Sequence, residues 1–343
     1  MTRFILLSTL AAAVGLLGVT AFGSGAAHAV TVCTYTDNGT TRSLDADCET
    51  ETTIIIPDGM TLDGNGNSIT AVDPGAGHFV GAIVTNGGTV AHVTRLVVNT
   101  SDLANVCDAS GNRLRGIMFE GASGSITQNT VEDIHQGPSG CQEGNAIEVR
   151  NAPFDGTHPN TQNVEIAHNV VQDWQKSGIV CNGDVDCRIH HNVVSESFTQ
   201  ENLAPNSVQL GFGATGIVEL NHIAGKQWLG ASNFVATAIL IFSADGVTIQ
   251  RNNIGGNSDV GVYLFGEDAF VDNNRIFDGG PDGPHGDYGL FDFGATNVVT
   301  NNKIRGFDDP SNVDGQVVIS GGPADPNPVC FGTSSDCGQA AAP

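Results

Sequence analysis

From about residue 54 onward, the apolar positions of this chain never take the three-and-four spacing of a helix. They come as short β-branched runs of two-residue period, cut by Gly, Asn and Asp, and so predict strands joined by tight turns. One unit recurs, an apolar-x-apolar run closing on Asn-x-Ile or Asn-x-Val. It stands at 125–131 (SITQNTV), 164–171 (VEIAHNVV), 187–194 (CRIHHNVV), 217–223 (IVELNHI), 247–254 (VTIQRNNI), 270–276 (FVDNNRI) and 298–304 (VVTNNKI). From Asn129 through Asn169, Asn192, Asn221, Asn252 and Asn274 to Asn302, the gaps are 40, 23, 29, 31, 22 and 28 residues. A second strand precedes each unit, among them GIMFEG (116–121), AIEVRN (146–151), GIVCNG (178–183) and VQLGFG (208–213).

A repeat of that period signals stacked units. Two strands per repeat, each a whole repeat from its counterpart and joined by variable loops, predict a parallel coil rather than hairpins. Ile117, Ile147, Ile179, Val208, Ile239, Val262 and Leu290 then form one inward aliphatic row. Asn at each bend would hydrogen-bond up the column, cap backbone groups and tolerate left-handed geometry. These Asn turns resemble the right-handed parallel β-helix superfamily, the pectate-lyase-like architecture with NosD-type repeats, over roughly residues 54–320. The resemblance implies an all-β chain: a single right-handed parallel β-helix of about nine or ten coils with disulfide-bonded caps. Residues 30–53 would form the N-terminal cap. The Gly/Pro-rich tail, 321–343, would protect the other open edge.

Residues 1–29 read as a secretory signal peptide: Arg3, an apolar run, and a small-x-small cut at Ala27-His28-Ala29. The mature chain is expected to be secreted and extracellular, with no membrane anchor, and a monomer. It keeps all eight cysteines, which fall into four neighbouring pairs: Cys33/Cys48, Cys107/Cys141, Cys181/Cys187 and Cys330/Cys337. Local bridges are the simplest expectation. The charge is lopsided, with 37 acids against 13 bases and a net of −24. That excludes nucleic acid, whose phosphates demand clustered Lys and Arg, and disfavours polyanions in general. A neutral substrate, or an acidic one met by a local Arg or a bound cation, fits.

On the outward face of the coil, equivalent positions stack about 4.8 Å apart. One row reads Met118, Glu148, Val180, Gln209, Leu240, Tyr263, Phe291, and the next Glu120, Arg150, Asn182, Gly211, Phe242, Phe265, Phe293. The N-terminal half is polar and the C-terminal half aromatic. Glu148, Glu120 and Arg150 are the candidate catalytic residues, with His135, Glu143 and Asp184 on loops entering from the same side. The same charges would also suit a solvated ladder worth under about 1 kcal/mol per pair. Asn182, Gln209, Trp174 and Tyr263 are candidate substrate contacts, and Trp228 a further stacking residue. The aromatic patch is expected to lie under the loops at 225–237 and 278–288 or under the tail.

Smaller motifs carry less. His285 and Asp287 sit in a Gly/Pro loop, DGNGN (63–67) lacks the closing Glu of a calcium loop, and alternation splits His190 and His191 between inside and outside. No metal site is expected. The superfamily resemblance implies an enzyme on an extracellular polysaccharide, by carboxylate hydrolysis, or as a lyase with Arg150 as base, or as an epimerase. Neither hydrolysis nor elimination requires a cofactor here, though Glu120 or Glu148 would suit a calcium bridge to uronates. The rival is a non-catalytic glycan-binding or adhesive β-helix. If the site is catalytic, Glu148→Gln is expected to abolish activity with the melting temperature nearly unchanged.

Overall fold

The computed structural model describes residues 30–154, 161–195, 199, 201–230, 234–280, 286–307 and the strand Val317–Val318. Its strands fall into three sheets. A nine-stranded sheet stacks Ile54–Ile56, Ala82–Asn86, Arg115–Glu120, Asn145–Asn151, Ser177–Gly183, Asn206–Gly211, Thr237–Phe242, Val260–Phe265 and Tyr288–Asp292. A twelve-stranded sheet carries the apolar-x-apolar runs, and a ten-stranded sheet the segments that follow each Asn. The chain visits the three in turn and then climbs one rung, with every pairing parallel except the hairpin Tyr35–Asn38 with Thr41–Leu44 at the N-terminal end. The product is an all-β, right-handed parallel β-helix.

Each coil has three strands rather than the two that the pattern predicts. The bend at Asn is tight enough for Asn-x-Ile to be the opening of a third strand, as in Thr130–Ile134 after Asn129. A single left-handed residue makes the corner, and it is the residue before the Asn: Gln128, His168, His191, Leu220, Arg251, Asn273 and Asn301 have φ between 54° and 60°. The Asn itself points inward and is buried. Its Nδ2 donates to the Oδ1 of the next Asn, at 3.0 Å from Asn129 to Asn169 and at 2.9 Å from Asn274 to Asn302. The same Nδ2 donates to a main-chain carbonyl, such as Asn192 to Ile166 at 2.9 Å. From Asn169 to Asn302 each Oδ1 also accepts the main-chain N–H of the Asn below, and that of Asn129 accepts the N–H of Leu96, so these buried groups find partners within the protein.

The lumen is mostly aliphatic among the described residues, with Phe79, Phe119, Trp174 and Phe307 the aromatic members of its core. The seven residues of the expected inward row are all buried and all belong to one core cluster. Three of the four expected disulfides are present: Cys33–Cys48, Cys107–Cys141 and Cys181–Cys187. Cys330 and Cys337 lie outside the described residues, as do the leader at 1–29 and the tail at 321–343. Among the described residues no helix is long and apolar enough to cross a membrane.

Candidate functional site

The outer face of the nine-stranded sheet keeps the register expected for it. Met118 pairs with Glu148, Glu148 with Val180 and Val180 with Gln209, while Glu120, Arg150, Asn182 and Gly211 run beside them. A third outward row lies at the strand entrances: Arg115, Asn145, Ser177, Asn206 and Thr237. Strict alternation from Ile117 would turn Arg115 into the lumen. The structure instead turns two successive residues inward, Gly116 and Ile117. A Cβ on Gly116 would sit 2.8 Å from the core side chain of Val131 and 2.4 Å from the Ala146 carbonyl. The small residues Ala146, Gly178 and Ser207 repeat the device on the next coils, and so an extra polar row faces outward.

This face floors a cleft of about 590 Å³ walled by loops that carry Arg113, Leu203, Phe234 and Val235. Its centre is a buried ion-pair network. Arg115 Nε donates to Glu148 Oε2, Asn145 Nδ2 donates to the same oxygen at 2.9 Å, and Arg150 Nη1 lies 3.7 Å from Glu148 Oε1. Arg150 also grips Glu120, its Nε donating to Oε2 at 2.9 Å. Burial, with Arg150 and Arg113 close by, pulls Arg115 down to about 9, which still leaves it charged at neutral pH. An amide chain continues the floor: Thr237 donates to Asn206 at 2.9 Å, Asn206 to Gln209 at 3.0 Å, and Gln209 to Asn182 at 3.1 Å. Phe154, Phe212 and Phe242 form one rim, with successive ring centroids 5.3 and 5.4 Å apart.

Two cations in the cleft stand outside the ion-pair network. The buried Arg113 Nε has no hydrogen-bond partner among the described residues. Lys176 Nζ donates to the Ala204 carbonyl at 2.7 Å, and burial pushes its ammonium down to about 8. Arg113, Arg115, Arg150 and Lys176 therefore face one lining carboxylate among the described residues, Glu148. In a chain of net charge −24 the cleft is locally cationic. Among the described residues, Asn145 Oδ1 and the Tyr263 hydroxyl on its lining also have no hydrogen-bond partner, and burial holds the Tyr263 hydroxyl up at about 12.

The sequence-predicted residues divide accordingly. Glu148, Arg150, Asn182, Gln209 and Tyr263 line the cleft, and Glu120 stands behind Arg150. Glu143 does not reach it. That carboxylate is wholly buried and accepts from the main-chain N–H groups of Asp108 and Leu114 and from Gln136 Nε2, so it ties loops together. Asp184 accepts from Thr161 at a corner of the coil, 2.6 Å away. His135 lines a separate hollow with Gln175 and Glu201, where burial lowers its imidazole below the ordinary range. Trp174 is a core residue under the Lys226 ammonium, 5.5 Å from the ring, and Trp228 packs on Ala204 and Ala236, so neither is a stacking surface. Of the aromatic half, Tyr263 and Phe291 are buried in a cluster with Val235, from the 225–237 loop, and with Tyr288, which opens the strand Tyr288–Asp292, whereas Phe265 is exposed. His285 lies outside the described residues.

Arg113, Arg115, Asn145, Lys176, Asn206, Phe154 and Phe212 are the lining residues that alternation passes over. For Arg115, Asn145 and Asn206 the sequence carries one signal, the small residue after each row position (Gly116, Ala146 and Ser207, with Gly178 after Ser177). Comparison with known proteins addresses the fold. A family model described as "Right handed beta helix region" matches residues 158–324. The solved structure of the Dettilon tailspike protein superposes with a TM-score of 0.54 at 12% identity, over 84% of this chain and 61% of that one, so the chain spans under two thirds of the tailspike. The complex of XylC with xylose gives a TM-score of 0.31 at 11% identity, covering 76% of this chain and 52% of that one. No curated protein matches the chain in sequence.

Proposed function

We propose that the cleft of this right-handed parallel β-helix binds and cleaves an extracellular polysaccharide bearing carboxylates. The observation that carries this is the charge of the lining: four cations and one carboxylate, on a chain with 37 acids and 13 bases. Cations buried side by side lose hydration and repel one another, a cost that an anion bound among them offsets. Amides and a Phe rim beside them suit sugar hydroxyls and sugar faces.

The geometry favours elimination over hydrolysis. A hydrolytic pair needs two carboxyl groups flanking the bond. Here Glu148 is the single lining carboxylate among the described residues, and Arg115 and Asn145 occupy its Oε2. Arg150 is held between Glu120 and Glu148 and does not serve as base. Lys176 does: burial brings it to about 8, close to the pH at which a base must be both free and strong enough. Arg113 and Arg115 pair the uronate carboxylate and acidify C5–H. Lys176 Nζ takes the C5 proton, the C4–O4 bond breaks as the C4=C5 double bond forms, and the leaving oxygen is protonated by water.

The test is incubation of the untagged chain with polygalacturonate, alginate and neutral xylan. A polyuronate alone should yield the ultraviolet-absorbing unsaturated product, at a rate rising through about pH 8. Lys176→Met should lose at least about 100-fold of that rate without loss of thermal stability. Reducing ends without the absorbance would replace elimination by hydrolysis, and retention without any product would make the cleft a binding site. Indifference to every polyuronate would sink the reading.

A further inference from the structure

The histidines that alternation separates are brought together by the corner of the coil. His168 and His191 hold the left-handed corner position on successive coils, with φ of 57° and 54°. Their rings stack with centroids 5.0 Å apart. His190, register partner of Ala167, ends its strand against both of them, edge-on at 5.2 Å from His191 and 5.8 Å from His168. Alternation fails here because a left-handed residue does not carry the two-residue period onward. Ring nitrogens from all three lie within 4.8 Å of one another.

Two details make this more than a crowd of imidazoles. His190 Nδ1 sits 2.9 Å from His191 Nδ1. Two ring nitrogens this close share a proton or a cation, and across a tetrahedral ion with Zn–N bonds of about 2.0–2.1 Å they would stand roughly 3.3 Å apart. The other nitrogen of His190, Nε2, lies 3.0 Å from Glu165 Oε1. A carboxylate there fixes the proton on Nε2 and aims the Nδ1 lone pair at the cluster, which is how ligating histidines are oriented.

We propose that His168, His190 and His191 bind one divalent first-row transition cation of the Zn2+ type, with Glu165 as the outer carboxylate that orients His190. The three-nitrogen set selects against Ca2+ and Mg2+, which take oxygen. The acidic field of the chain favours a cation at its surface. His168 comes from one coil and His190 and His191 from the next, so the ion staples two rungs. It does so at the corner between the twelve- and ten-stranded sheets, away from the nine-stranded sheet that floors the cleft.

Calorimetric titration of the untagged full chain with ZnCl2 tests this. The expected result is one ion per chain and a melting temperature that climbs with zinc concentration, with no response to CaCl2 at this site. His168→Asn and His191→Asn keep a residue that tolerates the left-handed corner, and each should remove the binding. Glu165→Gln should weaken it by about 10–100-fold. No uptake of zinc, or uptake unchanged in the His168→Asn/His191→Asn double variant, would overturn the assignment whatever the cleft proves to bind.

Discussion

Glu148 is the residue on which the cleft's electrostatics close. It is 2% exposed, and its carboxylate is what keeps Arg115 and Arg150 from facing each other unscreened. This changes what Glu148→Gln should do. Seen as an outward strand position, the substitution looks harmless to stability; seen in the network, it leaves two buried guanidiniums short of one charge. Removing one partner of a buried pair costs about 3–5 kcal/mol, so urea unfolding should show a loss in that range as well as a loss of activity. Adding Arg115→Met should recover a large part of it, since the two sites are coupled. A destabilisation under about 1 kcal/mol would mean that the pair is solvated after all. Glu148 and Arg150 were legible from alternation. Arg115 was not, because Gly116 and Ile117 both turn inward and shift the phase by one residue.

At the scale of the element, the Asn corner does more than punctuate the repeat. Asn192 joins three coils: its Oδ1 accepts from the N–H and Nδ2 of Asn169, and its Nδ2 donates to Ile166 O and Asn221 Oδ1. Asn192→Ala strands buried partners on both sides at about 1–3 kcal/mol each, and so should cost roughly 3–5 kcal/mol in chemical denaturation. Asn302→Ala, whose Oδ1 has Asn274 below it and whose Nδ2 donates to Val271 O, should cost less. Equal losses would show that the ladder is not cooperative. The Asn column could be read from the sequence because identical residues recur at a countable spacing. The corner conformation was assigned there to the wrong residue, since Gln, His, Leu and Arg at the preceding position carry no shared side-chain signature and the left-handed turn is imposed by the coil.

At the scale of the whole molecule, two fields oppose each other. The chain's net charge of −24 repels a polyuronate at long range, while the four cations of the cleft attract it on contact. The fold as a coil was plain in the repeat, but this opposition was not. Net charge is additive along a sequence, whereas a local surplus of cations depends on which loops meet over which strands. Salt separates the two by range. At about 0.01 M the screening length is roughly 30 Å and the global repulsion is felt across the molecule; at about 0.1 M it is near 10 Å and the repulsion fades before the contact attraction does. The KM for a polyuronate should therefore fall as NaCl is raised from about 0.01 to about 0.1 M and climb again above that, as released counterions begin to compete. An ordinary cationic site on a basic protein would give a KM that rises throughout, and initial rates along a NaCl series tell the two apart. A rise from the lowest salt onward would mean that the acids lie too far from the cleft to matter. The local cations would then set the approach of substrate alone.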